Sequence, residues 1–209
     1  MELDTTHLLA VAAALGWASG LRLYAVLFLT GVAGSLGWVP LPAGLQVLQS
    51  PVMLGASGMM LFVEFFADKI PGLDSLWDVV HTLVRIPAGA ALAAAVFGAD
   101  QGSWAMAAAL IGGTLAATSH VAKATTRAAV NTSPEPFSNV GMSLLGDATV
   151  PAMLWLSWQH PGWFFAALAV AVVAMLVLTV VLFRFVRLLV NKVAGRPAVP
   201  AATMPRGNR

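Results

Sequence analysis

The sequence predicts an all-α membrane protein, a bundle of about six transmembrane helices, and three observations carry that expectation. Of 209 residues, 59% are hydrophobic and 10% charged, with a mean hydropathy of +0.83; soluble domains carry about a quarter charged residues. Long apolar runs recur between clusters of Pro, Gly and polar residues, and roughly 20 such residues cross about 30 Å of hydrocarbon. Lys and Arg avoid every second connection, as a chain threading back and forth requires.

The runs are taken in order. The first, 7–34, follows Met-Glu-Leu-Asp, which lacks the basic start and small-residue cleavage site of a signal peptide, so it reads as a retained helix with Arg22 in its middle. The second is 51–68. The third, 75–98, must include the amphipathic stretch from Ser75, because "IPAGAALAAAVFG" alone is too short to span, and a bend is expected at Pro87. The fourth is 103–130, the fifth 139–158 with Asp147 in its middle, and the sixth 163–190. Residues 1–190 thus form one membrane domain, and 191–209 a basic, disordered tail. With no cysteine, disulfides, thiolate metal sites and cysteine nucleophiles are excluded.

Both termini are expected on the cytoplasmic side. The inside connections are then 69–74 and 131–138, with Lys69, Lys123 and Arg127 at or near them, while the outside connections 35–50, 99–102 and 159–162 hold no Lys or Arg. Six of the eleven bases lie in or after the last run, from Arg184 to Arg209, and anchor the tail inside rather than marking a nucleic-acid arm. Trp38, Trp104, Trp158 and Trp163 fall at the outer ends, as an interfacial belt would. Three spans per half would invert the halves, 7–98 against 103–190. "ASGLR" (18–22) resembles "ATTRA" (124–128), and "EFFADKIP" (64–71) resembles "SLLGDATVP" (143–151). Inverted repeats with broken or kinked helices and a site at their interface are a transporter architecture.

Charge is concentrated in "VEFFADKIPGLDSLWDVVHTLVR", residues 63–85. Glu64 and Asp68, four apart, share one helix face before Pro71-Gly72 breaks the chain. Asp74 or Ser75 can cap the next helix, with Ser75 to Asp78 in capping-box form. Asp74, Asp78, His81 and Arg85 then form one polar stripe, with Leu76, Val80, Leu83 and Val84 facing elsewhere. A second stripe is His120, Lys123 and Arg127, with Thr118, Ser119, Thr125, Thr126 and Asn131 around it. Facing lipid costs a few kcal/mol per charge, so both stripes should turn inward. Five acids (Glu64, Asp68, Asp74, Asp78, Asp147) balance five bases (Arg22, Lys69, Arg85, Lys123, Arg127), which suggests internal pairing rather than a carboxylate-rich cation site.

These segments resemble a bacterial membrane family, the domain of unknown function 4126, through "VEFFADKIPGLDSLWD", "TSHVAKATTRAAVNTSPEPFSN" (118–139) and "SLLGDA" (143–148), over nearly the whole chain up to the basic tail. The resemblance implies a compact multi-helix protein of the bacterial inner membrane and assigns no catalytic residue. Glu64-Phe-Phe-Ala-Asp68-Lys69 is more loosely similar to the Glu-x-Gly-Asp-Lys motif of small cation exchangers, one residue longer and with Ala67 for the glycine.

The reading that follows is a small transporter or translocase. Arg22, Glu64, Asp68, Asp78, His81, Arg85, His120, Lys123, Arg127 and Asp147 would line its path, with carboxylates or histidines carrying protons and Lys123, Arg127 and the hydroxyls holding an anionic group such as a phosphate or a lipid head. The alternatives are ion pairs that only hold helices together, a structural subunit of a membrane complex, or a membrane enzyme acting on a lipid. No G-x-S-x-G nucleophile motif, aspartate-rich phosphotransferase pattern or paired-histidine zinc spacing supports catalysis or a metal, and no cofactor is expected. The partners expected are membrane lipids and a small solute, ion or headgroup. Gly34, Gly37, Gly112 and Gly113 suit close helix packing within the chain or in a homodimer.

Overall fold

In hydrocarbon an apolar chain can satisfy its backbone N–H and C=O groups only from within, and a helix does so along its whole length. The computed structural model, which describes residues 3–70, 72–132 and 137–194, accordingly holds α1 (Thr5–Ser35), α2 (Pro51–Ala67), α3 (Leu73–Ala95), α4 (Gly102–Val130), α5 (Phe137–Gln159) and α6 (Pro161–Ala194). All six fall close to the runs expected from the sequence. The connection 35–50, expected as a plain loop, contains a short 3₁₀ helix, Ala43–Gln49. Residues 195–209 of the basic tail lie outside the described residues, as do Pro71 and residues 133–136 of the second inner connection.

Local chemistry sets the helix ends. The Asp4 carboxylate accepts from the His7 backbone N–H at 2.9 Å, which caps α1 and holds that carboxyl below its ordinary range. Gly37, at φ +70°, turns the chain out of α1. Ser50 Oγ accepts from Met53 N–H at the start of α2, with Pro51 in the first helical position. At 17 residues α2 is about 25 Å long, short of a full crossing by itself. It joins the 3₁₀ helix at a 70° bend, so five helices are long and apolar enough to span alone and this bent pair supplies the sixth crossing or a re-entrant arm. Gly72, at φ +87°, makes the turn into α3. The expected Ser75–Asp78 capping box does not form, because α3 starts earlier and Asp78 is drawn to bases instead. Asp74 does the local work, its Oδ1 accepting from the backbone N–H of Gly72 at 2.8 Å and of Ser75 at 2.6 Å.

α1 is the central helix, buried along most of its length against α3, α4 and α5. Small residues permit this. A Cβ on Gly16 would come within 2.5 Å of Gly112 Cα, and a Cβ on Gly89 would press on the Ala116 methyl group. Gly112 therefore serves packing inside the chain. Ser119 Oγ donates across the α1–α4 contact to the Trp17 carbonyl at 2.6 Å. α6 lies at the periphery: Phe164 and Leu168 in its first two turns are buried in the core, while Val170, Val173, Leu176, Val177 and most later apolar side chains face outward. Leu76, Val80, Leu83 and Val84 of α3 also face out, as their spacing required. Trp38, Trp104 and Trp163 are exposed, but Trp158 is not, since it is buried beside Leu154 in the core and Trp155 takes the outer face.

Candidate functional site

The site begins where α1 stops being a helix. Arg22 has φ −146° and ψ 76°, a break inside an otherwise continuous helix. Irregular backbone at membrane depth must find its hydrogen bonds in surrounding protein or water. Here Lys123 Nζ of α4 donates to the Leu21 carbonyl at 3.0 Å. The break also directs the Arg22 guanidinium toward two acids from different helices, Asp68 Oδ2 at 2.7 Å and Asp147 Oδ1 at 2.8 Å. Ser143, one helical turn before Asp147, accepts from the same guanidinium through its hydroxyl at 2.8 Å and its carbonyl at 3.1 Å.

Asp68, at the C-terminal end of α2, is the hub. Its Oδ2 faces three cations, Arg22 at 2.7 Å, Lys123 at 2.9 Å and Arg127 at 3.0 Å. Its Oδ1 is buried with no hydrogen-bond partner among the described residues. Lys123 and Arg127 also reach Asp78 of α3, at 3.2 Å and 3.4 Å, which closes a ring in which Asp68 and Asp78 alternate with the two bases. From this ring two arms extend. Arg127 pairs with Asp74 at 3.3 Å, and Asn131 donates to that carboxylate and to Ser75. Asp147 pairs with Lys69 at 3.1 Å, whose ammonium lies 3.2 Å from the Phe65 ring centre.

Arg85 closes the far side. It holds Glu64 Oε1 and Asp78 Oδ1, each at 2.7 Å, and all three side chains are almost completely buried. His120 lies against this group, 3.4 Å from the guanidinium and 2.7 Å from Thr82 Oγ1. Glu64, Asp68, Asp74, Asp78 and Asp147 are thus joined to Arg22, Lys69, Arg85, Lys123 and Arg127 in one continuous ion-pair network. Several kcal/mol of desolvation per buried ion is offset by this mutual pairing. Asp68, Asp78 and Asp147 each have more than one base, whereas Glu64 depends on Arg85.

Two cavities flank Arg22. One, of about 190 Å³, lies among α1, α4, α5 and α6, with Arg22, Asp68, Lys123 and Arg127 at its charged end and Met142, Leu145, Met175 and Leu178 along its apolar wall. The other, of about 450 Å³, lies among α1, α2 and α5 and has Arg22 and Asp147 as its charged groups. Arg22 and its two carboxylates therefore form the partition between them.

Of the residues the sequence singled out, the two stripes meet directly, and Arg22, Glu64 and Asp147 join them. His81 does not enter the ion pairs. It stacks on Trp77 with centroids 4.1 Å apart and bonds the Tyr24 hydroxyl at 3.1 Å. Lys69 and Asp74, counted among the five bases and five acids expected to pair, belong to the network. Ser143, Thr82 and Tyr24 were missed; Ser143 had a signal in its spacing of four from Asp147, while Thr82 and Tyr24 are set by contacts between helices and had none. Among the described residues, no group of three or more His, Asp or Glu side chains is arranged to hold a metal ion.

The family described as Domain of unknown function (DUF4126) matches residues 9–182, and the chain belongs to it. No curated protein and no solved structure matches the chain.

Proposed function

We propose that this member of the DUF4126 family is a small transporter or translocase that moves an anionic or polar substrate past Arg22, coupled to protons. The observation that carries this reading is the partition itself, a broken helix whose one arginine is shared by two carboxylates and separates two cavities. Passage requires a bistable contact, and an arginine with a partner on each side can release one while keeping the other. In this reading Glu64 is the proton carrier: Arg85 binds its Oε1, and its Oε2 is buried with no hydrogen-bond partner among the described residues.

An inverted repeat of residues 7–98 and 103–190 would fit this reading. Arg22 and Lys69 of residues 7–98 bind Asp147 of residues 103–190, while Lys123 and Arg127 of the second half bind Asp68, Asp74 and Asp78 of the first. Ion pairs that cross between halves are what a site at a repeat interface would need. Lys69, Lys123 and Arg127 converge on Asp68 and Asp147, which supports placing that end of the bundle, toward which α6 runs, on the cytoplasmic side of an inner membrane. The expected cytoplasmic N-terminus is not supported, because His7 of α1 lines a cavity with Gln159, His160 and Trp163 where α6 begins, at the opposite end.

Proteoliposomes loaded with a pH-sensitive dye test the proposal. A panel of phosphate and carboxylate solutes and single-chain anionic lipids should include one that moves protons with it. Glu64→Gln and Asp147→Asn should each abolish that flux while the helical content and monodispersity of the purified protein are retained. Unchanged flux in both variants would sink this role.

A further inference from the structure

The smaller cavity has a composition that the transport reading does not use. Its closed end presents three bases, Arg22, Lys123 and Arg127, around the single carboxylate of Asp68. The rest of its wall is apolar, and three of its lining residues, Met142, Leu145 and Leu178, are also exposed on the outer surface of the bundle. α4 and α5 barely touch one another, and the cavity lies between them under α6. A chamber that is cationic inside, greasy along its wall and open at the side faces hydrocarbon rather than water.

From this geometry we infer that the cavity binds a single-chain amphiphile with an anionic head, phosphate or carboxylate, drawn from the bilayer, and that Asp68 is the built-in anion which such a head displaces. The inference rests on the transport reading for its purpose but not for its geometry. A head seated between Lys123 and Arg127 would receive charge-assisted hydrogen bonds, which Arg can supply in bidentate form. Asp68 Oδ2 now occupies that place, held by all three bases on one oxygen. Its Oδ1 is buried with no hydrogen-bond partner among the described residues, so the bases hold the carboxylate through one oxygen. The charges that face Asp68 are Arg22 from α1 and Lys123 and Arg127 from α4; Asp78 of α3 and Asp147 of α5 face the same bases, and the α6 residues at the cavity are apolar. Removing the Asp68 charge would therefore leave three bases with one fewer competitor for an incoming anion.

Native mass spectrometry of the full chain released from maltoside micelles reads this directly, with dodecyl phosphate, dodecyl phosphocholine and inorganic phosphate each added at equal concentration. Dodecyl phosphate should be retained about tenfold more than the phosphocholine, the ratio that one charge-assisted contact gives. Inorganic phosphate alone should not be retained. Arg127→Gln should lower dodecyl phosphate retention, and Asp68→Asn should raise it. Met142→Trp fills the apolar wall without touching the ion pairs and should also lower retention, which keeps the test decisive if Asp68→Asn fails to fold. Equal retention of the phosphocholine, equal retention of inorganic phosphate, or indifference to Met142→Trp would each overturn the assignment. Lost flux in the Glu64 and Asp147 variants without dodecyl phosphate binding would leave transport standing and this site refuted; binding without flux would do the reverse.

Discussion

Arg22 and Arg85 are both buried arginines that each hold two carboxylates, and the structure treats them in opposite ways. Arg85 sits in the regular helix α3, its partners Glu64 and Asp78 are 0% and 2% exposed, and it lines neither cavity. Arg22 sits at the break in α1, its partner Asp147 is 22% exposed, and it lines both. The same pairing chemistry makes a sealed clamp in one place and a partition in the other. What differs is the surroundings: Arg85 lies one turn from Gly89, where α3 packs closely against α1 and α4, whereas Arg22 has a cavity on each side.

The largest effect should come from breaking the clamp. Arg85 is the one base paired with Glu64 among the described residues, so Arg85→Leu strands a fully buried carboxylate. Removing one partner of a buried pair costs about 3–5 kcal/mol. Equilibrium unfolding in mixed micelles should show a loss of that order, and Glu64→Gln in the same chain should restore part of it. Arg22→Leu should cost less, about 1–3 kcal/mol, the usual penalty for an unmade buried hydrogen bond. Asp68 would keep Lys123 and Arg127, and Asp147 would keep Lys69. Its effect should appear instead as altered flux, with the two cavities no longer separated. If Arg22→Leu destabilises the protein as much as Arg85→Leu, the partition is only a second clamp and the contrast fails.

The sequence made one side of this contrast easier to see than the other. The polar stripe of α3 and the acid pair Glu64 and Asp68 were legible because helical spacing fixes which side chains share a face, and lipid forbids them to face outward. The balance of five acids and five bases anticipated the network for the same reason. The break at Arg22 was not legible: "ASGLRLYA" contains no proline, and what stabilises the broken backbone is Lys123, a residue about a hundred positions away. The capping box at Ser75 failed as an expectation because tertiary bases outcompeted a local hydrogen bond for Asp78. Trp158 was misplaced because helix ends near an interface still have an inner face, and three residues separate Trp158 from the exposed Trp155.

The smallest effect should come from the rim of the partition. Lys69 is 18% exposed, its partner Asp147 is 22% exposed, and Asp147 keeps Arg22 at 2.8 Å when the ammonium is gone. Lys69→Gln would also lose the contact with the Phe65 ring, worth about 0.5–1 kcal/mol at partly exposed sites. Surface-like ion pairs contribute about 0–1 kcal/mol. The summed loss in unfolding free energy should therefore stay below about 2 kcal/mol and shrink further as salt is raised, because a rim charge is screened where a buried one is not. A cost equal to that of Arg22→Leu, or one indifferent to salt, would place Lys69 inside the sealed part of the network and move the boundary between clamp and partition outward to α5.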